Sequence, residues 1–358
     1  MSATVDIAVV GAGIVGCMTA RELALRRPDA SIAVLDQDVV GSGASLRSAG
    51  LHFPRGATPR VRRMADYSQS FYESLGATLP GIPVHPLDMY VVAPRDAGPR
   101  LRKAYLDRAA LHSVDGVPGS PARIAPGNAV WRGSGCQYAD VHSLTRMIAR
   151  ELRPRVEFRE AVRVTAIRPG PGADDPVLLE LGTGQTLRAG RVVLAPGPWL
   201  ADPAWSALIE PMGLRVKRVV ALHVERTPEA SDGAVVFQDA DAFLLPLHDR
   251  GHWLFSYTCE EWGETPDSVR GGLRARDLNA AREHLRSMAP ELAGLVRSGR
   301  VFCDAYSPDG EPRVRALEGT GRVVFAGAAN GSGYRLAPAI AAEVSDLLNQ
   351  PIAQGSPV

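Results

Sequence analysis

Val5-Asp-Ile-Ala-Val-Val10, Gly11-Ala-Gly13-Ile-Val-Gly16 and Ser31-Ile-Ala-Val-Leu-Asp36 decide the fold. The first is an apolar run of strand length, the second a glycine turn opening a helix, the third a strand that ends in an acid. Gly11 permits the tight turn, Gly13 lets the backbone approach a pyrophosphate, and Gly16 lets the helix lie close on the strand. The free amides of the helix N-terminus, which starts at Ile14 and Val15, face the anion. Asp36 stands twenty positions beyond Gly16, the spacing of a carboxylate that accepts from adenosine ribose hydroxyls and disfavours a 2'-phosphate there. Strand, turn, helix, strand and acid agree on a bound dinucleotide.

The rest of the composition sets limits. The 358 residues suggest two or three domains, and 45% hydrophobic with 22% charged content is ordinary for a globular chain with a large core. With 40 basic and 39 acidic residues the formal charge is +1, which gives no electrostatic reason to expect nucleic acid or an anionic membrane as partner. Cys17, Cys136, Cys259 and Cys303 are far apart and lack zinc or dithiol spacing. A reduced setting follows. No apolar run is long enough to span a bilayer and no signal core precedes the first strand, so the expectation is a soluble cytoplasmic protein with no metal.

Along the chain, Gly41-Ser-Gly43-Ala44-Ser45-Leu-Arg47-Ser48-Ala49-Gly50 is a small-residue loop able to lie against a ligand. Its Arg47 either neutralises pyrophosphate or is an exposed loop charge. A helical pattern runs through Val61, Met64, Tyr67, Phe71 and Leu75, then short alternating strands from Ile82 to Pro94 and a charged helix near Gly98 to Leu111. Asp140 reads as the N-cap of a helix to Leu152, followed by strands near Val156, Val162, Val177 and Thr186. Arg191 to Ala195 enters a second glycine turn at Gly197-Pro-Trp199. Phe243–Leu247 and His252–Tyr257 pair across Asp249-Arg-Gly251, helical segments follow at 270–288 and 290–296, and Arg322 to Gly327 leads to Gly331-Ser332-Gly333 and an apolar helix from Leu336 to Leu348. The small residues cluster in distant places, so the nucleotide domain is discontinuous, comprising 1–82, 140–213 and 301–358, with 83–139 and 214–300 forming a sheet domain.

In this order the glycine turn, Asp36, the 41–50 loop, Ala195-Pro-Gly197-Pro-Trp199, Ser307-Pro-Asp-Gly-Glu-Pro312 and Gly331-Ser-Gly-Tyr-Arg-Leu-Ala-Pro338 resemble the FAD-dependent D-amino-acid oxidase superfamily, in particular its glycine oxidase and monomeric sarcosine oxidase branches. The resemblance spans the whole chain. It implies an α/β fold with a Rossmann-like FAD-binding domain and an α+β substrate domain built on an antiparallel or mixed sheet. It places Gly11, Gly13 and Gly16 on the FAD pyrophosphate, Asp36 on the ribose, Arg47 and the neighbouring loop amides on the phosphates, the Val164 backbone on the adenine, and Gly331 to Leu336, with Tyr334 and Arg335, by the flavin. Ala195, Gly197 and Trp199 complete the cofactor set. The helix after Gly333 directs its positive end at the anionic reduced ring. The implied reaction passes a hydride from the carbon beside a neutral amine to flavin N5.

The substrate positions depart from that pattern. Where amino-acid oxidases of the family carry a carboxylate-binding arginine, alignment on Ser307-Pro-Asp-Gly310 puts Asp304, which repels a carboxylate and attracts a cation. Arg335 falls where the sarcosine-oxidase branch has a carboxylate-binding lysine. A pocket with Arg335 at an anionic end and Asp304 at a cationic one suits an amino acid with a second amine or an unusual secondary amine. The rival is an ion pair from Asp304 to Arg335 or Arg313. Cys303 lies one residue from the position that would hold a covalent flavin, and a one-residue step turns a strand side chain over, so noncovalent FAD is expected. The branch's oxygen-activating lysine is replaced by Leu254 or Phe255, which leaves O2 or another acceptor. His52 is placed beside the flavin, and Tyr257 and Tyr306 in the pocket wall, each with a core role as the alternative. The readings carried forward are oxidation of a C–N bond in a small amino acid or amine, oxidation of a 2-hydroxy acid, and a flavin subunit of a multi-chain dehydrogenase.

Overall fold

Two sheets organise the chain. The computed structural model describes residues 3–349 except 171, 173, 174, 318, 319 and 321; positions 1, 2 and 350–358 of the expected nucleotide domain lie outside the described residues. The first sheet runs in the order Arg313–Ala316, Val323–Gly327, Thr186–Leu194, Ala3–Val10, Ile32–Leu35, Val156–Arg159, and its last five strands are parallel. Ile32-Ala-Val-Leu35 is buried throughout, as a strand covered on both faces must be.

On one face, the helices Ile14–Arg26, Pro59–Thr78, Val141–Leu152 and Gly333–Asn349 pack a core that includes Val9, Met18, Leu144 and Ile340. Asp140 caps the third of these by accepting from the Ser143 amide at 3.0 Å, as its sequence predicts. The hairpin Val164–Arg168 and Val177–Leu181 and the segment around Trp205 cover the other face.

The second sheet has the order Val296–Tyr306, Arg215–Val224, His252–Tyr257, Ala242–Leu247, Ala234–Phe237, Val84–Pro94, Asn128–Ala139, Leu51–His52. It is mixed, since Ala234–Phe237 pairs in parallel with Val84–Pro94 and the other neighbours are antiparallel. The turn at 249–251 joins the expected hairpin. The short strands expected from 82 to 94 form one strand of eleven residues, and the helix expected near 98–111 stops at Ala104. The expected domain boundary at 300/301 falls inside Val296–Tyr306, which pairs with Arg215–Val224 along its length and so joins the second sheet. That strand continues into the Ser307 turn and returns to the first sheet at Arg313, which places both sheets around one cavity.

Candidate functional site

The first strand turns at Gly11, whose φ of 105° is closed to most side chains. A methyl group there would stand 2.2 Å from the Ala195 carbonyl oxygen, so the two glycine turns predicted from sequence are in direct backbone contact. Asp36 Oδ2 accepts from the Ala12 amide at 2.7 Å and Oδ1 from the Asp38 amide at 2.9 Å. Burial pushes its carboxyl up against these bonds. The Ser45 hydroxyl accepts from the Ile14 amide at 3.0 Å, which fastens the 41–50 loop across the helix N-terminus. Arg47 is exposed, reaches only the Ser42 carbonyl at 3.4 Å and has no carboxylate partner among the described residues.

These groups line a cavity of about 1100 Å³. The same cavity is lined by Gly13, Val15, Gly16, Gly43, Ala44, Ser48, Ala49, Gly50, Val164, Ala195, Gly197 and Trp199, and at its far end by Gly331, Ser332, Gly333, Tyr334, Arg335 and Leu336. The N-terminal and C-terminal glycine loops, more than 300 residues apart, therefore face one space. Its donor set fits FAD: a helix N-terminus for pyrophosphate, an acid for ribose, and a second glycine loop and helix N-terminus at the far end. The far loop is strained, because Ala328 and Asn330 hold φ of 48° and 54° without being glycine. The Asn330 side chain holds it by accepting from the Ser307 amide at 3.0 Å and donating to the Ala328 carbonyl at 3.0 Å.

Two cations stand at this end. Arg335 donates to Ser332 Oγ at 2.6 Å and lies 5.1 Å over the Phe53 ring, and its buried Nε has no hydrogen-bond partner. Burial, then the charge of Arg55, lowers its guanidinium to about 10. Arg55 also lines the cavity, and neither arginine has a carboxylate partner among the described residues. Sequence reasoning missed Arg55, although it stands only three residues beyond His52.

Asp304 also lines the cavity, with Oδ1 accepting from its neighbour's amide, Ala305, at 2.8 Å. Burial raises its carboxyl to about 6. Both rival ion pairs are absent: Arg313 binds Asp309 at 2.9 Å and Arg335 binds Ser332. Tyr257 lines the wall but commits its hydroxyl to the Asp277 carbonyl at 3.3 Å.

His52 does not reach the cavity, which corrects its expected place beside the flavin. It is fully buried, bonded through Nε2 to Gln69 Oε1 at 2.6 Å, and set edge-on to Tyr72 and Tyr334. Burial, with Arg335 nearby, holds it at about 3, hence neutral. The cause is strand alternation: Leu51 lines the cavity, so the next side chain in the two-residue strand points into the core. Cys303, one step from Asp304, packs with Val269 and Val301, and its thiol donates to the Thr265 carbonyl at 3.4 Å.

A family model described as FAD dependent oxidoreductase matches residues 6–347. The chain is 28% identical to a glycine oxidase of Pseudomonas aeruginosa, over 98% of this chain and 97% of that one. Among solved structures it is similar to an L-proline dehydrogenase from P. horikoshii (TM-score 0.80, 17% identity, 99% and 96% of the two chains). It is also similar to an L-alpha-glycerophosphate oxidase from Mycoplasma pneumoniae solved with FAD bound (TM-score 0.79, 17% identity, 98% and 96%).

Proposed function

The chain belongs to the FAD dependent oxidoreductase family, and from that premise we propose that it oxidises the C–N bond of an amino acid or related amine. The observation that carries this reading is the pair Arg335 and Arg55, two cations without a counter-charge among the described residues, at the end of the cavity where Gly331 and Gly333 lie. Half-buried cations without a carboxylate partner call for an anionic ligand, and arginine matches a carboxylate bidentately. FAD, when bound, supplies a two-electron acceptor for the hydrogen on the carbon beside the amine. The Gly11–Gly16 turn, Asp36 and the 41–50 loop hold its adenine dinucleotide half, noncovalently, and the helix from Gly333 presents its positive end to the other half.

The protein's remaining task is orientation. Arg335 and Arg55 fix the carboxylate, which leaves the amino carbon toward the glycine loop. A 2-hydroxy acid would satisfy the same arginines. Asp304 favours a substrate that carries a cationic nitrogen, because a carboxylate without an ion-pair partner among the described residues attracts one. The buried, unpaired cysteines support a reducing, cytoplasmic setting, and no helix among the described residues is long and apolar enough to cross a membrane.

Anaerobic mixing of the purified yellow protein with D-, L- and N-methyl amino acids, diamino acids and 2-hydroxy acids tests the reading. Bleaching at about 450 nm by amines alone is the expected result; bleaching by hydroxy acids alone overturns it. Recolouring in air identifies O2 as an acceptor, and persistent bleaching points to another one.

A further inference from the structure

The cavity carries charges of both signs that do not pair with each other. Arg335 and Arg55 line it with no carboxylate partner among the described residues. Asp304, against the Gly331 amide, is directly opposite Lys217 in the register of the two neighbouring strands, so both side chains share a face, and Tyr306 stands on that face two residues on. Asp241 also lines the cavity.

Lys217 does not neutralise Asp304. No ion pair forms between them; its ammonium is 3.7 Å from Glu260, 5.0 Å from the centre of the Trp262 ring and 5.7 Å from that of Tyr306. Trp262 sets its ring edge-on to Tyr306 at 5.3 Å. The chain's own lysine thus shows that this corner accommodates an alkylammonium against aromatic faces. The carboxylates Asp304, Asp241 and Glu260 outnumber the two cations there, Lys217 and Arg215, whose guanidinium lies 4.4 Å over the Trp262 ring.

Which nitrogen of a substrate belongs beside Asp304 follows from the chemistry. Hydride leaves only from a carbon beside a neutral amine, and a carboxylate held against the reacting nitrogen would stabilise its protonated form. A carboxylate is better placed against a nitrogen that stays charged throughout.

Resting on the amine-oxidation reading, we infer that Asp304 selects substrates carrying a second, non-reacting cation, which makes basic amino acids such as lysine and ornithine the preferred class. The α-carboxylate is held by Arg335 and Arg55, the reacting amine lies between, and the side-chain cation enters the corner of Asp304 and Tyr306. Asp304 is here a specificity residue that takes no proton.

The test compares lysine, ornithine and the neutral isostere norleucine, both enantiomers of each, on the holoenzyme and on Asp304→Asn and Asp304→Glu. Flavin content and melting temperature of each variant are checked first. Wild type is expected to favour lysine over norleucine in kcat/KM by about 30-fold or more, the discrimination typical of a desolvated charge pair. In Asp304→Asn that ratio falls toward one. In Asp304→Glu, one methylene longer, preference moves toward ornithine, which a merely structural carboxylate would not cause. A lysine-to-norleucine ratio that is the same in wild type and Asp304→Asn overturns the inference and leaves amine oxidation standing. If hydroxy acids alone bleach the flavin, the amine reading fails, and binding decides the rest: a lysine-induced rise in melting temperature lost in Asp304→Asn supports the cation corner, and no rise refutes it.

Discussion

A methyl group on Gly16 would lie 1.8 Å from the carbonyl oxygen of Gly11, so the first helix touches the turn it springs from. Helix propensity alone predicts that Gly16→Ala stabilises by about 1 kcal/mol. The contact reverses the sign: the helix must move away, at a cost of about 1–3 kcal/mol and with loss of bound flavin. Gly76 is the control, because it lies exposed in Pro59–Thr78 and a methyl group would meet only Ile82 Cδ1 at an ordinary 3.6 Å. Gly76→Ala should therefore stabilise by up to about 1 kcal/mol and leave the ratio of flavin to protein absorbance unchanged. Urea unfolding of both variants checks the pair.

Arg218 and Asp277 form an ion pair at 2.7 Å that is buried at both ends. Asp277 Oδ2 also accepts from the Arg274 amide at 2.7 Å, capping the helix Ala275–Met288. Asp277→Ala removes the cap and strands a buried guanidinium, for an expected loss of about 3–5 kcal/mol. Arg218→Met combined with Asp277→Ala should recover part of that loss. Equal midpoints for the single and double variants in urea would refute this account.

Asp304 has a carboxyl raised from 3.8 to about 6 in the folded chain. Relative to the ionised form, a protonated Asp304 favours folding. That contribution is fully present below about pH 4 and lost as pH rises through about 6. Asp304→Asn carries no charge at any pH, so the variant should be more stable than wild type above pH 6, by up to about 3 kcal/mol. The gain should vanish near pH 4. Lys217, Tyr306 and Asp241 face the same group and are unchanged by the variant. Melting temperatures of the flavin-free protein between pH 4 and 8 give the answer.

Arg335 presents the matching trade-off. Half-buried and without a carboxylate partner among the described residues, it costs stability in the absence of ligand. Arg335→Met should raise the melting temperature of the flavin-free protein while raising KM for the amino acid about 10-fold or more. A lower melting temperature with unchanged KM would remove Arg335 from the substrate site.

The nucleotide half of the site was legible because its signals are local. Gly11, Gly13, Gly16 and Asp36 announce themselves through spacing within two strands and a helix, and Asp140 through its place before a periodic run. The substrate half depends on register between distant strands. Nothing near Lys217 in the chain indicates that it opposes Asp304, 87 positions later, or that Arg55 returns beside Arg335. His52 went astray for the same reason: which face of a two-residue strand meets the cavity is set by its pairing with Gln137 and Tyr138. The strain at Ala328 left one local trace, the Asn330-Gly331 pair, whose residues both tolerate positive φ.

Cys303 bears on how the flavin is held. It stands on Val296–Tyr306 and lines the cavity with Val269 and Val301, where burial pushes its thiol up to about 12. A covalent bond to flavin needs a thiolate, whereas this thiol is held protonated and donates to the Thr265 carbonyl at 3.4 Å, so noncovalent flavin is the prediction. Acid precipitation should therefore leave a colourless pellet and a yellow supernatant. Cys303→Ser should keep its flavin at a cost of about 1 kcal/mol or more in stability, since the smaller hydroxyl fills the site less well. Fluorescence that stays with the denatured chain of wild type and disappears in Cys303→Ser would reverse the assignment.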